Sequence, residues 1–191
     1  MIPQGRLILS PRLLRPLYNI HLIVEALPGI LRKHPDTVLG ITTHGEEAEY
    51  GSHVRRRVSE LGLEGLVVLL DPISYGEMPA ALAASDLVVS IPFSDGLPQT
   101  LFECLASETP IVLGRLPAYA ELVHPDREAV LTTFEPEAIA AAACRILGSG
   151  PFARRLTRAG LERVRQEPSL EDEASRVAAL YREAMSRRRP S

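Results

Sequence analysis

Two acidic side chains, Asp95 and Glu103, lie in the segment 90–110, whose sequence is SIPFSDGLPQTLFECLASETP. The segment has the pattern of a strand, a turn and a helix, with seven residues between the two acids. Helical periodicity directs Leu101 and Leu105 toward the sheet and leaves Glu103 facing water or a cleft. Ionised carboxylates only accept hydrogen bonds, so the pair could grip the hydroxyl donors of a sugar. A turn aspartate beside a solvated glutamate explains the same spacing equally well.

The turn between these acids is typical of a helix start. Gly96 permits a tight turn, and Pro98 occupies the position that proline favours as first helical residue. The backbone N–H groups of Gln99, Thr100 and Leu101 are then predicted to be free and to point into a crevice. Free amides at the positive end of a helix dipole suit a phosphate group.

A histidine, His44, follows the predicted strand at 37–42. Open α/β sheets place their ligand crevice at the carboxyl ends of the strands, so His44 is a candidate to line a site. The chain has five histidines and two cysteines, and their spacing matches no metal-ligand pattern. We therefore expect no bound metal.

Composition excludes several kinds of protein. The 191 residues are 46% hydrophobic and 24% charged, as in one soluble domain. A net charge of −3 leaves no basic excess for a phosphate backbone, so we expect no nucleic-acid partner. No apolar stretch approaches the roughly 18 residues of a membrane span, and the amino terminus does not resemble an export signal.

Familiar catalytic motifs are also missing from the sequence. It contains no G-x-G-x-x-G after a strand, no G-K-[ST], no G-x-S-x-G and no H-E-x-x-H. These absences disfavour dinucleotide dehydrogenases, P-loop NTPases, serine hydrolases and zinc proteases.

The elements that must position these residues follow from an alternation of short apolar segments with segments of helical periodicity. This alternation predicts an α/β fold with about six parallel strands and helices on both faces. Strands are predicted at residues 6–10, 37–42, 66–70, 86–91, 110–114 and 129–133. Helices are predicted at residues 19–34, 47–61, 77–84, 98–107, 135–147, 151–166 and 169–187. Ser169 is a candidate N-cap of the last helix, which precedes the basic tail RRRPS.

The segment SDGLPQTLFECLASETPIV resembles the E-x7-E segment in the carboxy-terminal domain of family 4 (group 1) glycosyltransferases. Four other stretches resemble the same domain in the same order: ILSPRLL with N-x-x-x-x-V-E-A, residues 39–46, VVLLDPISYGEM and LPAYAELV. The resemblance implies a Rossmann-like domain that binds a nucleotide sugar and forms one half of a GT-B enzyme. Residues 1–168 would be that domain. Residues 169–191 would belong to it or cross to a missing amino-terminal domain.

The resemblance also implies roles for individual residues. Glu103 would hold the nucleotide ribose and Asp95 the donor sugar, and these two acids are the implied catalytic pair. Arg12 matches the arginine of a phosphate-binding Arg/Lys pair, and Ile73 matches the position whose backbone meets the base. The remaining donor-binding candidates are His44, Ser94, Gly96, Leu97, Gln99 and Thr100.

The sequence departs from the family pattern in its phosphate-binding positions. Asp95 is one methylene shorter than the usual glutamate, and Leu17 stands where the phosphate lysine is usual. Arg15 lies close enough in sequence to replace that lysine, although Pro16 constrains the turn. Thr43 replaces the first glycine of a G-x-G turn. A Ser-Glu pair at 107–108 replaces a small-Gly pair. These departures are expected to weaken phosphate binding and to have less effect on whether the domain adopts the family's fold.

The function implied is the donor-binding half of a retaining, metal-independent hexosyltransferase that uses a UDP- or GDP-type sugar and no cofactor. The chain would be inactive without an amino-terminal acceptor-binding domain. It would be cytoplasmic or at the inner face of a membrane, with polysaccharide biosynthesis as the commonest setting of its relatives. Peripheral membrane association and a homodimer stay open. The alternatives are a non-catalytic binding or assembly module with the same fold and a nucleotide-sugar epimerase.

Overall fold

Six strands form one parallel sheet in the computed structural model, which describes residues 5–167 and 170–187. The strands are β1 (Arg6–Ser10), β2 (Thr37–Thr42), β3 (Val67–Leu70), β4 (Leu87–Ser90), β5 (Ile111–Gly114) and β6 (Val130–Thr132). Their order across the sheet is β3-β2-β1-β4-β5-β6, and every neighbouring pair is parallel. The order fixes which loops meet at each edge of the sheet.

The central strands are buried on both faces. Every residue of β2, β4 and β5 is buried, which explains why these segments lack the alternation of apolar and polar residues seen in half-exposed strands. β-branched residues such as Ile41, Val89 and Val112 suit such strands because their stiff side chains pack well on a pleated surface. The sheet therefore forms a rigid platform under its loops.

Helices cover both faces of the sheet. They are α1 (Ile20–Leu31), α2 (Ala48–Glu60), α3 (Met78–Ala83), α4 (Gln99–Ala106), α5 (Pro136–Leu147), α6 (Gly150–Val164) and α7 (Leu170–Arg187). On one face α1 packs between α2 and α5, and on the other lie α3 and α4, with α6 against α4 and α5. Two apolar layers thus sandwich the sheet.

The predicted α/β fold is confirmed, and β1 and β2 have the predicted bounds. Helix ends are less accurate. Asn19, predicted as the first residue of α1, has a left-handed φ of 51° and precedes the helix, which ends at Leu31. Pro98 has ψ 80°, outside the helical range, so α4 begins one residue later than predicted, at Gln99.

The point where the chain changes direction lies between β1 and β4. After β1 the chain builds β2 and β3 on one side, and from β4 onward it builds the other side. The loops that follow β1 and β4 therefore diverge above neighbouring strands and leave a crevice at the carboxyl edge. The candidate residues were predicted to lie at this crevice.

The last helix, α7, carries an uncovered apolar stripe. Among its described residues, four large apolar side chains are exposed: Val177, Leu180, Tyr181 and Met185. The candidate N-cap Ser169 and the tail positions 188–191 lie outside the described residues, so the division at residue 168 stays a prediction. None of the described helices is long and apolar enough to cross a membrane.

A glycine lies where α4 and α6 come close. A Cβ atom at Gly160 would lie 2.6 Å from Cδ2 of Leu105, so a larger residue there would require the Leu105 side chain to shift. Leu105 is itself buried in the layer that α4 forms with the sheet. The position of α4, and of the candidate residues on it, is therefore set by packing.

Leu105→Ala is expected to lower the free energy of unfolding by about 2 to 5 kcal/mol, because it leaves a cavity between α4 and α6. The control Leu180→Ala truncates an exposed leucine of α7 and should change the free energy of unfolding by less than about 0.5 kcal/mol. Urea unfolding followed by circular dichroism measures both. Equal losses in the two variants would contradict the packing described for α4.

Candidate active site

A cleft of about 520 Å³ opens at the carboxyl edge of the sheet. Its walls come from the segments that follow four strands, β1 to β4, as the parallel topology requires. The lining residues are Pro11, Arg12, Leu13, Tyr18, His44, Ile73, Ser74, Tyr75, Met78, Leu97, Gln99, Thr100 and Glu103. Seven of the ten candidate residues from the sequence are therefore brought together: Arg12, His44, Ile73, Leu97, Gln99, Thr100 and Glu103.

Arg12 is held rigidly at the base of this cleft. Its Nη1 donates to Oγ1 of Thr100 at 3.2 Å, and its Nη2 lies 3.2 Å from Oδ2 of Asp95. The guanidinium also lies over the Tyr18 ring, 4.5 Å from the centroid. Within the described part of the chain, Arg12 is the one arginine or lysine that lines the cleft. Such a planar cation, fixed before any ligand arrives, suits a phosphate or carboxylate.

Asp95 turns away from solvent toward this arginine. Its side chain is 11% exposed and that of Arg12 is 12% exposed, so the ion pair is largely removed from water. Asp95 does not line the cleft itself, and its neighbours Ser94 and Gly96 are exposed loop residues. The structure thus places Asp95 behind Arg12, at the edge of the cleft.

Glu103 stands in a different environment. Its carboxylate lines the cleft, the residue is half-buried, and it has no hydrogen-bond or ion-pair partner among the residues that the structure describes. An ionised carboxylate in this situation is an available acceptor for ligand hydroxyl groups. The two acids therefore differ in their partners. Protein groups contact the carboxylate of Asp95, whereas the carboxylate of Glu103 has no protein partner among the described residues and can accept from a ligand.

The sequence analysis missed Tyr119, which lies in the helical turn Pro117–Glu121 after β5. Its hydroxyl donates to Oδ2 of Asp95 at 3.0 Å, and the residue is fully buried. Burial and the negative charge of Asp95 both raise the pKa of Tyr119, so its hydroxyl keeps its proton. The stretch LPAYAELV contributes to the family resemblance only as a whole, and no spacing rule singles out its tyrosine.

The free backbone N–H groups predicted at the start of α4 are only partly present. The N–H of Gln99 donates to the Leu97 carbonyl at 2.9 Å, and the N–H of Leu101 donates to the Pro98 carbonyl at 2.9 Å. The prediction of three free amides is therefore wrong for these two. The physical reason is that a tight turn before α4 places the Leu97 carbonyl within reach of the Gln99 amide, and that the first turn of the helix closes on the Pro98 carbonyl. Across the described residues, the Thr100 amide is the one of the three without a backbone acceptor.

The two positions weighed as phosphate contacts next to Arg12 do not line the cleft. Leu17 is 44% exposed and lies beside the next loop, since its carbonyl accepts from Phe93 N–H at 2.7 Å. The Nε of Arg15 donates to the Gly45 carbonyl at 2.8 Å, and Gly45 has a left-handed φ of 57°. Arg15 thus fixes the turn that carries His44, at the side of the cleft opposite Asp95's loop.

A second, more apolar pocket of about 290 Å³ adjoins the cleft between α3 and α4. It shares Tyr75, Met78 and Glu103 with the cleft and is closed by Pro79, Leu82, Ala106 and Ser107. Tyr75 is 89% exposed, so its ring is available for stacking. The pair of cavities can take a ligand with a flat apolar part on one side of Glu103 and a charged part near Arg12.

In residues 5–167 and 170–187, no group of three or more His, Cys, Asp or Glu side chains is placed to hold a metal ion.

The chain is similar in sequence to known proteins. Residues 5–149 match the family model described as "Glycosyl transferases group 1". The chain is 28% identical over 174 residues to the MMP alpha-(1->4)-mannosyltransferase of Mycolicibacterium hassiacum, covering 90% of this chain and 41% of that protein. The chain therefore spans less than half the length of that relative.

Solved structures share the fold. Sucrose-phosphate synthase from Thermosynechococcus elongatus matches with a TM-score of 0.86 at 22% identity, over 96% of this chain and 46% of that one. Anabaena HepE in complex with UDP matches with a TM-score of 0.84 at 18% identity, over 95% of this chain and 50% of that one.

Arg12→Met is expected to lower the free energy of unfolding by about 2 to 3 kcal/mol, because it leaves the secluded Asp95 carboxylate without its cation. The control Arg158→Met breaks the exposed Arg158–Glu162 pair on α6 and should cost no more than about 0.5 kcal/mol. Urea unfolding at neutral pH and moderate salt measures both. If both variants lost equally little free energy of unfolding, Asp95 would be solvated and the Arg12–Asp95 pair would contribute little to stability.

Proposed function

The chain belongs to the group 1 glycosyltransferases, and from this membership we propose that it is the donor-binding half of a retaining enzyme. That enzyme transfers a sugar from a nucleoside-diphosphate sugar to an acceptor hydroxyl. The observation that carries the proposal is the convergence of Arg12, Thr100 and Glu103 on one cleft at the carboxyl edge of a parallel sheet. A second domain of similar size would supply the acceptor, so this chain alone would bind donor without turning it over.

Glu103 is the proposed ligand of the nucleotide ribose. A ribose presents two adjacent hydroxyl donors, and the cleft presents one carboxylate with no partner among the described residues. Two charge-assisted hydrogen bonds to a half-buried carboxylate are among the stronger contacts available to an uncharged ligand. The apolar pocket next to Glu103 then lies where a base attached to that ribose would go. The solved HepE structure holds UDP, which supports a nucleoside-diphosphate donor, and we propose one of the UDP or GDP type.

Arg12 is the proposed partner of the diphosphate. Negative charge builds on the leaving diphosphate as the bond to the sugar breaks, and a fixed guanidinium stabilises that charge more than it stabilises the ground state. The contacts of Arg12 to Thr100 and Tyr18 fix its position before the donor binds. A metal is not part of this proposal, because the arginine fork and the Thr100 amide would carry the phosphate contacts.

One feature favours a second candidate, a non-catalytic binding module with the same fold. The charge of Arg12 is largely offset by Asp95, and Leu17 offers no second cation. A cleft whose arginine is offset in this way, and which also contains the Glu103 carboxylate, would bind a diphosphate weakly. Titration with nucleotides separates the two candidates.

Glu103→Ala is expected to weaken nucleotide binding by roughly 2 to 4 kcal/mol, the cost of losing a pair of charge-assisted hydrogen bonds. Isothermal titration of the parent and the variant with UDP, GDP and ADP measures the change and identifies the preferred base. Glu162→Ala, on the exposed surface of α6, is the matched control and should bind as the parent does.

The outcomes of this titration are distinct. Equal affinities for the parent and Glu103→Ala would remove Glu103 from the site. Failure of the parent to bind any of the three nucleotides would favour the non-catalytic module over the transferase.

A further inference from the structure

Asp95 is secluded although its loop is exposed. Phe93 and Leu97, two residues away on either side, are 74% and 71% exposed, whereas the Asp95 side chain is 11% exposed. An aspartate in such a loop would normally keep its carboxylate in water, since burial of a charge without compensation is unfavourable. Contacts from other parts of the chain must therefore hold it inward.

Three donors converge on this carboxylate, two from distant parts of the chain and one from the next residue of its own loop. Oδ2 receives the guanidinium of Arg12 at 3.2 Å and the hydroxyl of Tyr119 at 3.0 Å. Oδ1 receives the N–H of Gly96 at 3.1 Å. A carboxylate has about four lone-pair positions, so these contacts leave about one, on Oδ1. The carboxylate is thus oriented, with its remaining acceptor position on the oxygen that neither Arg12 nor Tyr119 uses.

Tyr119 is suited to hold that orientation. Its backbone is fixed within the turn after β5, where its N–H donates to the Leu116 carbonyl and its carbonyl accepts from Leu122 and Val123. The ring is fully buried in the layer between the sheet and α4, and this packing places its hydroxyl 3.0 Å from Oδ2 of Asp95. Burial raises the pKa of Tyr119, so the hydroxyl keeps its proton and can donate to the carboxylate.

We propose that Tyr119 is a positioning residue of the donor site: its hydroxyl keeps Asp95 against Arg12 at the edge of the cleft, where a donor sugar that extends past Arg12 would meet the remaining acceptor position on Oδ1. The inference rests on the proposed function, since it assumes that a nucleotide sugar binds in the cleft. It goes beyond that function by assigning a role to a buried residue that touches no ligand. Arg12 has two other contacts, to Thr100 and Tyr18, so the sugar contact depends on Tyr119 more than the phosphate contact does.

The test is the substitution Tyr119→Phe, which removes the hydroxyl and keeps the ring that fills the core. Isothermal titration is carried out with UDP and UDP-glucose, and with GDP and GDP-mannose. The affinity for the preferred nucleotide sugar should fall by about tenfold, as for loss of one hydrogen bond to a charged group. The affinity for the corresponding sugar-free nucleotide should change by less than about twofold, because Arg12 and Glu103 keep their other contacts.

Two controls separate positioning from general destabilisation. In an Asp95→Ala background, Tyr119→Phe should have no further effect on nucleotide-sugar affinity, because the carboxylate that the hydroxyl positions is absent. Tyr50→Phe removes another buried hydroxyl, one that contacts His21 at 2.8 Å, and should leave every affinity at the parent value.

Three results would overturn parts of this account. Parent-like binding of nucleotide sugars by Tyr119→Phe would overturn the positioning role and leave the proposed function standing. An equal loss for nucleotides with and without sugar would overturn the assignment of Tyr119 to the sugar contact. Failure of the parent to bind any of the four probes would overturn the proposed function, and the positioning role with it.

Discussion

The ion pair between Arg12 and Asp95 is the contact on which the candidate site depends. It joins the loop after β1 to the loop after β4, the two segments that diverge at the centre of the sheet. Both side chains are about nine-tenths removed from water, so their attraction is strong but their desolvation is costly. Hydrogen bonds from Tyr119 to the carboxylate and from the guanidinium to Thr100 offset that cost. The pair is stable here because four residues, not two, form it.

The charges of the Arg12–Asp95 pair also affect how the cleft binds ligands. A guanidinium already paired with a carboxylate attracts a diphosphate less than a bare one, yet it is fixed in position and needs little reorganisation when a ligand binds. The hydroxyls of a ligand meet a different acid, Glu103, which has no partner in the described part of the chain. The site thus combines a satisfied charge pair at its base with an unsatisfied acceptor on its wall.

The parallel sheet explains why such distant residues meet. In the order β3-β2-β1-β4-β5-β6 every strand ends at the same edge, so the segments after β1, β2, β3 and β4 come together there. The apolar strands such as β2 made a parallel sheet with helices on both faces predictable, because an apolar run without alternation is typical of a strand covered on both faces. The order of the strands comes from the structure. Helix ends are harder to predict. At Asn19 and Pro98 single backbone angles, decided by local contacts, move the boundary.

The amino-acid sequence by itself determined the α/β fold, the bounds of β1 and β2, and the loops that supply the cleft, because these depend on local patterns of apolar and turn residues. It also singled out Arg12 and Glu103, whose roles remain predictions. Only the tertiary structure decided that Asp95 turns inward to Arg12 and that Tyr119 donates to it across 24 residues of chain. Such contacts depend on how separate loops pack above the sheet. No spacing within a single segment encodes that distance or direction.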